Sequence, residues 1–459
     1  MALFGTSGIR MPCPEKLDAA MAMKVGAAAA KAGGNGGGAG GRGAGRPFVV
    51  GYDGRRTGQM LKSAISAGAA SVGAGIIDLG LCATPTLALH TQSVSGMGAM
   101  ITASHNPPEY NGIKLFENGR EAPKEVEALV ERAVEGDVSP ELAEWKKAGQ
   151  TADGREMATQ KHMNLALSLI DSSMVKRKNP KIALDCGNAA ACALMPMLLE
   201  KAGCTVVAIN SSEPGNFTRG LEPTEANLME LSSEIVSCGA DFGIAHDGDA
   251  DRAIILDENG RMLGLDAQLA IAVREMMEKN QKAKQKIIVS TVESSLSLRE
   301  IVEGNGWKLE ITPVGSLYVA ERMRKIGACF GGEPCGEYIF PSGVQMPDGL
   351  MAGAFFAEIF ARKGKLSKLA EKIKTYPMLR ERLPCANEKK GKAMEKIEKN
   401  WPFSKPKKED GLRSEEKWGT VLVRPSGTEP IIRITLEAKN EGEAKKRMGE
   451  IMGIARKAL

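Results

Sequence analysis

Three times along the chain, a short apolar run leads into a stretch with helical spacing, then a glycine, then a second apolar run. "PFVVGYDGRR" leads into "GQMLKSAISAGAASV", Gly75 and "IIDLG". "KIALDCGN" leads into "AACALMPMLLEKA", Gly203 and "CTVVAIN", and "KIIVSTVES" into "SLSLREIVEG", Gly306 and "WKLEITPVG". A brief continuous apolar run bounded by turn formers reads as a buried strand, and the segments of roughly 10–15 residues between them read as helices. Strands that alternate with helices predict parallel sheet under helical cover. From about Lys374 the pattern changes to "YPMLRERLPC", a Lys-rich helix, and then "GTVLVRPSGTEPIIRITLEAK", two strands joined by a tight turn and followed by a closing helix. The expected fold is three similar mixed α/β domains, over 1–155, 156–256 and 257–370, and a C-terminal α+β domain over 371–459.

Composition removes several classes of function. A chain of 459 residues is long for one core and suits several domains. The net charge of +5 is small for this length and aromatic residues are only 4%. Neither the basic footprint nor the stacking platform of a nucleic-acid binder is present, so no nucleic-acid partner is expected. The lysines of 389–399 and 405–408 read as solvated faces. Nine scattered cysteines without a CxxC pair predict a reduced, cytoplasmic protein without structural zinc. No apolar run reaches membrane-spanning length, and "MALFGTSGIR" lacks a signal layout, so neither membrane nor export is expected. The GxGxxG at Gly36, Gly38 and Gly41 follows a helix and precedes a strand. That order is the reverse of a dinucleotide fingerprint, and the segment reads as a surface loop.

Chemistry concentrates in four polar turns, one per predicted domain, the first three at the C-terminal ends of strands, where open α/β sheets bind ligands. The first, "ITASHNPPEYNGIKLF", sets Ser104 between Thr102 and His105, with Pro107 and Pro108 stiffening the chain after it. A free serine is a poor nucleophile unless activated. Residues adjacent along a strand point apart, so His105 is not an obvious partner. A serine that carries a phosphoryl group escapes this objection, and a plain hydroxyl-capped turn remains open. The second, "DFGIAHDGDADRAIIL", alternates Asp247, Asp249 and Asp251 with small residues. Carboxylates this close repel unless a cation lies among them, and oxygen-only ligands favour Mg²⁺, with Mn²⁺ an option. An EF-hand needs glycine where Arg252 stands, and an Asp-x-Asp-x-Thr phosphatase motif needs threonine where Asp251 stands, while a plain solvated acidic turn remains open. Arg252 is suited to an anion beside the ion. The third, "GGEPCGEYIFPSG", can present Glu333, Cys335 and Glu337 to a polyol, or be an exposed hairpin. In the fourth, "VRPSGTEPIIRI", Ser426, Gly427 and Thr428 form a potential anion nest between Arg424 and Arg433. A plain hairpin turn is the alternative.

At these residues the chain resembles the α-D-phosphohexomutase family, over nearly its whole length and in order: "FGTSGIR", "TASHNP", "DGDADR", "GGEPCGE" and "RPSGTEP". The resemblance implies four domains around a central cleft. It implies an isomerase that interconverts hexose 1-phosphate and 6-phosphate through a phosphoserine and a 1,6-bisphosphate. Ser104 would be the phosphoserine. Asp247, Asp249 and Asp251 would join it in holding Mg²⁺. Lys114 and His105 would do general acid/base work, with Arg10 and Arg252 flanking the phosphoserine. Glu333 and Cys335 would contact sugar hydroxyls, and Arg424, Ser426, Gly427, Thr428 and Arg433 would grip the phosphate not being transferred. A hexose 1,6-bisphosphate would act as activator. The partners implied are small-molecule sugar phosphates, for a monomer or homodimer.

The chain departs from the family pattern at Cys335 and Glu337, where bacterial members often carry Ser and His, and slightly in "GYDGRRTG". These departures touch the sugar side. Glu337 could favour a substrate with an ammonium group. Mannose and glucose phosphates are the first expectation, and glucosamine phosphate is the alternative. A metal-dependent phosphatase using Ser104 and a silent sugar-phosphate-binding protein are the competing classes.

Overall fold

The computed structural model describes residues 3–5, 8–34, 46–136, 140–408, 410–426 and 429–459. Each of the three repeats forms its strand pair. Phe48–Tyr52 and Ile76–Leu81 flank the helix Gly58–Ser71, and Ile287–Thr291 and Lys308–Thr312 flank the helix Leu296–Gly304. Between Lys181–Asp185 and Thr205–Ile209 the helical segment is split into a 3₁₀ turn, Ala190–Ala193, and a helix, Met195–Ala202. Pro196 accounts for the split, because it is tolerated only in a first turn. All three strand pairs are parallel.

By contacts the chain forms two units, residues 1–264 with 335–369 and residues 265–334 with 370–459. In the first unit, one sheet runs in the order Ile9–Pro12, Tyr110–Glu117, Met97–Ile101, Phe48–Tyr52, Ile76–Leu81, Thr151–Asp153. Its mixed character comes from Tyr110–Glu117, which lies antiparallel to both neighbours. The loop from Met97–Ile101 into that strand is the serine turn, so strand pairing holds both of its ends. A second sheet has the order Ile254–Leu256, Phe242–Ala245, Lys181–Asp185, Thr205–Ile209, with only the first pair antiparallel. The aspartate loop joins that antiparallel pair. The helix Gly349–Lys363 is buried along its length from Gly349 to Phe360. Apart from Glu358, which pairs with Arg362 at 3.1 Å, that length is apolar, as a buried helix must be, and this accounts for the placement of 335–369 in the first unit.

In the second unit, Lys308–Thr312, Ile287–Thr291 and Phe330–Glu333 form a parallel set. A separate antiparallel sheet runs Met378–Pro384, Ile431–Ala438, Gly419–Pro425, Leu412–Glu416. The alternation in "PIIRITLEA" is realised there: Ile432, Ile434 and Leu436 are buried under the helices Lys390–Lys399 and Glu441–Ala458, while Arg433 and Thr435 face away from that core. The fold is thus three mixed α/β regions followed by an antiparallel-sheet region, as the sequence pattern predicts.

Glu437 projects from this sheet and accepts the backbone N–H of Leu296 at 2.7 Å. Burial, with help from Asp266 and Glu300 and against Arg380, pushes its carboxyl up to about 7. A carboxyl raised in the fold stabilises it below the ordinary range near 4.5 and loses that contribution as pH rises through 7. Glu437→Gln keeps an acceptor for Leu296 and removes the ionisation. It is expected to raise the melting temperature at pH 8, by the equivalent of about 1–3 kcal/mol, and to have little effect at pH 4. An equal shift at both pH values would show that Glu437 is not ionising across this range.

Candidate active site

The serine turn is built around a buried arginine. Arg55 follows the strand Phe48–Tyr52 and is 1% exposed. Its guanidinium donates to four backbone carbonyls of the turn: Ser104 and Asn106 from Nη2, at 2.8 and 2.6 Å, and Pro107 and Tyr110 from Nη1, both at 2.7 Å. Its Nε donates to Asp53 at 3.1 Å. The Thr102 hydroxyl donates to the same carboxylate at 2.7 Å and accepts the Ser104 N–H at 2.8 Å. Ser104 is held with φ of +50°, a left-handed conformation that non-glycine residues adopt at a cost of about 1–2 kcal/mol.

That conformation corrects one expectation. The strand ends at Ile101, so the rule that neighbours point apart does not apply three residues later. His105 Nδ1 lies 3.3 Å from Ser104 Oγ. Burial lowers the His105 pKa, against the pull of Glu222, whose Oε2 lies 3.4 Å from Nδ1. Ser104 Oγ also donates to Asp247 Oδ2 at 3.0 Å.

Asp247, Asp249 and Asp251 are all buried, and one oxygen from each lies within 4.8 Å of the others. Oδ1 of Asp249 and of Asp251 are buried without a hydrogen-bond partner. Burial and the two neighbouring carboxylates push Asp247 well above its ordinary range. Burial would push Asp249 up as well, but the Lys114 ammonium beside it holds it well below. Lys114 Nζ donates to Asp249 Oδ2 at 2.7 Å and Asp251 Oδ2 at 3.3 Å. Burial opposes its charge, yet these two carboxylates win and raise its pKa. Three carboxylates with one ammonium, and unpartnered oxygens among them, leave negative charge that a hard divalent cation fits.

The aspartate loop is gripped through its backbone. The carbonyls of His246, Gly248, Asp249, Ala250 and Arg252 accept from Arg219 Nη2, Ala190 N, Thr84 N, Gly349 N and His246 Nδ1, at 2.9, 3.1, 3.0, 3.2 and 2.7 Å. Ala250 sits at φ of +56°. A Cβ on Gly248 would lie 2.3 Å from the Ser104 carbonyl oxygen, so glycine is what lets the loop close onto the serine turn.

Arg10 Nη1 donates to Asn106 Oδ1 at 3.1 Å, and its Nε is buried and unpartnered. Arg252 donates to Glu337 Oε1 at 3.3 Å and Glu222 Oε1 at 3.2 Å, and its backbone bridges that of Glu337. Glu337, the departure from the family pattern, therefore meets a guanidinium of its own chain. Cys335 is partly exposed. In the stretch "GYDGRRTG", Thr57 keeps the hydroxyl and accepts from Asn111 Nδ2 at 2.9 Å. The first unit thus brings together Ser104, His105, Lys114 and the three aspartates.

Glu333, Arg424, Ser426 and Arg433 belong to the second unit. Glu333 is buried and accepts the Gly315 N–H at 3.1 Å. Arg424 and Arg433 are direct cross-strand partners. Like charges opposed in this way repel unless acids or an anion intervene. Asp410 and Glu293 take Arg424, at 2.9 and 2.5 Å, and Glu429 takes Arg433. Ser426 Oγ accepts the Glu429 N–H at 3.1 Å. Gly427 and Thr428, like the glycines of the 33–46 stretch from Gly36 onward, lie outside the described residues. One lysine read as solvated is not: Lys390 is buried, and its ammonium holds the carbonyls of Ser426 and Glu429 from beneath the turn.

Sequence reasoning missed Arg55, Asp53, Thr84 and Lys390. The one available signal was "DGRR", charged residues directly after a fully apolar strand. Lys390 had none, since one lysine in a Lys-rich helix looks like the rest.

The comparisons with known proteins agree from end to end. Four family models match in order: Phosphoglucomutase/phosphomannomutase alpha/beta/alpha domain I over residues 1–140, domain II over 160–260, domain III over 265–376 and the C-terminal domain over 381–454. A probable phosphoglucosamine mutase of Thermococcus kodakarensis is 38% identical, over 99% of this chain and 98% of the relative. A phosphoglucosamine mutase of Methanococcus vannielii is 39% identical over 96% of both. The crystal structure of a phosphoglucomutase/phosphomannomutase family protein from Burkholderia thailandensis aligns with a TM-score of 0.86 at 25% identity, covering 100% of this chain and 97% of that one. A chain that matches all four domain models in order, and such relatives along their whole length, belongs to the α-D-phosphohexomutase family of isomerases, which move a phosphoryl group within a hexose phosphate.

Proposed function

We propose that this phosphohexomutase acts on glucosamine phosphate, interconverting its 1- and 6-phosphates. The observation that carries the reading is end-to-end similarity, at 36–39% identity, to relatives named as phosphoglucosamine mutases or probable phosphoglucosamine mutases. It reverses the order suggested by the motifs, which put mannose and glucose phosphates first.

Ser104 is the phosphoryl carrier. In the forward half-reaction, the bond from phosphorus to Ser104 Oγ breaks as a sugar hydroxyl oxygen bonds to phosphorus. The hydroxyl proton passes to Lys114, which enters this half as the neutral amine, and His105, which enters it protonated, returns a proton to Oγ. The second half-reaction runs the same steps backwards on the other phosphate. Oγ loses its proton to His105 and attacks, and Lys114 protonates the departing sugar oxygen. This second half calls for a neutral His105 and a Lys114 ammonium, a reading supported by burial, which lowers the His105 pKa, and by Asp249 and Asp251, which raise that of Lys114. Asp247, Asp249 and Asp251 would hold Mg²⁺, which supplies charge neutralisation for phosphoryl transfer. Arg10 and Arg252 take the transferring phosphoryl group. Glu333 and Cys335 meet sugar hydroxyls. Arg424, Ser426, Gly427, Thr428 and Arg433 bind the phosphate that stays. A trace of hexose 1,6-bisphosphate keeps Ser104 charged.

The test is turnover of the 1-phosphates of glucosamine, glucose and mannose with Mg²⁺ and trace bisphosphate. We expect kcat/KM to favour glucosamine phosphate by about tenfold or more, a discrimination of about 1.4 kcal/mol. A preference for glucose or mannose phosphate would overturn the reading, and steady release of inorganic phosphate without mutase turnover would replace it with the phosphatase.

Glu337→Gln bears on the sugar side. Because Glu337 engages Arg252, its role is to position that arginine rather than to read an ammonium group. The substitution is expected to lower kcat/KM on all three substrates alike, by about fivefold, in keeping with the loss of about 1 kcal/mol from an ion pair. A loss confined to glucosamine phosphate would restore the ammonium reading.

A further inference from the structure

Two of the five donors that grip the aspartate loop stand at helix N-termini. Thr84 opens the helix Thr84–Ser93, and Gly349 opens the helix Gly349–Lys363. Thr84 N donates to the Asp249 carbonyl at 3.0 Å and its hydroxyl to Asp249 Oδ2 at 2.6 Å. Gly349 N donates to the carbonyl of Ala250, the left-handed residue of the loop, at 3.2 Å. A Cβ on Gly349 would lie 2.3 Å from the Arg252 carbonyl oxygen, so this helix end is pressed directly onto the loop.

These two helices come from distant parts of the chain, and one buried side chain ties them together. His162, from the helix Arg155–Leu169, is fully buried. Its Nδ1 lies 2.7 Å from the hydroxyl of Thr86, one residue beyond Pro85 in the first helix. Its Nε2 lies 2.8 Å from Oδ2 of Asp348, the N-cap of the second. The other oxygen of Asp348 caps that helix by accepting the Met351 N–H at 2.9 Å. A carboxylate accepts, so Nε2 donates to Asp348, while Nδ1 shares a hydrogen bond with the Thr86 hydroxyl, which can donate or accept. Both ring nitrogens of the imidazole are satisfied.

A buried, satisfied polar relay costs desolvation, and apolar packing would serve stability equally well. What it adds is direction, since a hydrogen-bonded imidazole fixes the relative position of the helix ends to within a hydrogen bond's tolerance. We propose that His162, with Thr86 and Asp348, is a positioning residue for divalent-cation binding: it braces the two helix N-termini that shape the backbone of Asp249 and Ala250. The inference rests on the reading of the three aspartates as the cation site.

The experiment measures binding of Mn²⁺ alone to the purified full chain, by the electron-spin-resonance signal of free Mn²⁺, beside thermal melting. The variants are Thr86→Val, which is isosteric without the hydroxyl; Thr86→Ser, which keeps it; and His162→Phe. Outer partners of metal ligands are worth about 10–100-fold in affinity, and this brace, one step further out, is expected to be worth about fivefold. Thr86→Val and His162→Phe are expected to raise the Mn²⁺ Kd to that extent, and Thr86→Ser to restore it. At saturating Mg²⁺, Thr86→Val should recover wild-type kcat and sugar-phosphate KM. Unchanged Mn²⁺ affinity in Thr86→Val, with only a lower melting temperature, would reduce the relay to a structural role and overturn the proposal. Should His162→Phe fail to fold, the Thr86 pair still decides. If the wild-type chain binds no Mn²⁺, or Asp249→Asn binds it equally well, the cation-site reading itself falls, an outcome distinct from the failure of the brace.

Discussion

Ser104→Ala is expected to abolish mutase turnover, lowering kcat by at least about 1,000-fold, while the protein melts within a few degrees of wild type. Alanine has no oxygen to carry a phosphoryl group, and removal of a covalent carrier leaves only the residual rate that binding and charge supply. The turn survives because its supports are backbone groups: the Ser104 carbonyl accepts from Arg55 and the Ser104 N–H donates to Thr102, whatever the side chain. Measuring mutase turnover with bisphosphate present, beside the intact mass of both proteins after incubation with it, separates loss of the carrier from loss of the fold. Turnover within tenfold of wild type would exclude Ser104 as the carrier.

Arg55→Met is expected to destabilise the first unit by about 3–5 kcal/mol and to cut turnover by about 100-fold. The guanidinium satisfies four carbonyls and neutralises Asp53, whose carboxyl is fully buried. Burial already pushes Asp53 upward, and the Arg55 charge is the main opposing influence. Removing one partner of a buried pair strands the other, which costs more than the pair itself contributes. Arg55→Lys keeps the charge but has three donors where five are used, so it should fall between. Urea unfolding and turnover on one substrate check both effects. Loss of under 1 kcal/mol with normal turnover would mean that Pro107 and Pro108 alone hold the turn.

The sequence was a good guide wherever the signal was local. Apolar runs marked the strands because a strand buried on both faces must be apolar along its length. Gly248 and the aspartates marked the aspartate loop because charge and small size alternate within five residues. Ile432 and Ile434 against Arg433 gave the face of the last strand through the period of two. The protonation states, by contrast, depend on distances across the fold: Lys114 lies 135 positions from Asp249, and Ser104 lies 143 from Asp247. The rule that points neighbours such as Ser104 and His105 apart holds for strands, and the left-handed turn at Ser104 takes the pair out of its reach.

By itself, then, the amino-acid sequence determined that this chain forms three mixed α/β regions and an antiparallel C-terminal sheet, and it marked a serine turn, an aspartate loop and an arginine-flanked turn as the candidates for its chemistry. Periodicity and turn composition act over a few residues, so they are written in the chain. Only the tertiary structure decided that Arg55 holds the serine turn, that Lys390 lies beneath the arginine-flanked turn, that Glu337 faces Arg252 and that His162 ties two helix ends together. Each of these is a single charged or polar residue whose role comes from what folding places within 3.5 Å of it. Spacing along a sequence carries no record of such encounters, because the desolvation and hydrogen bonding that define them exist only once distant strands and helices have closed around the side chain.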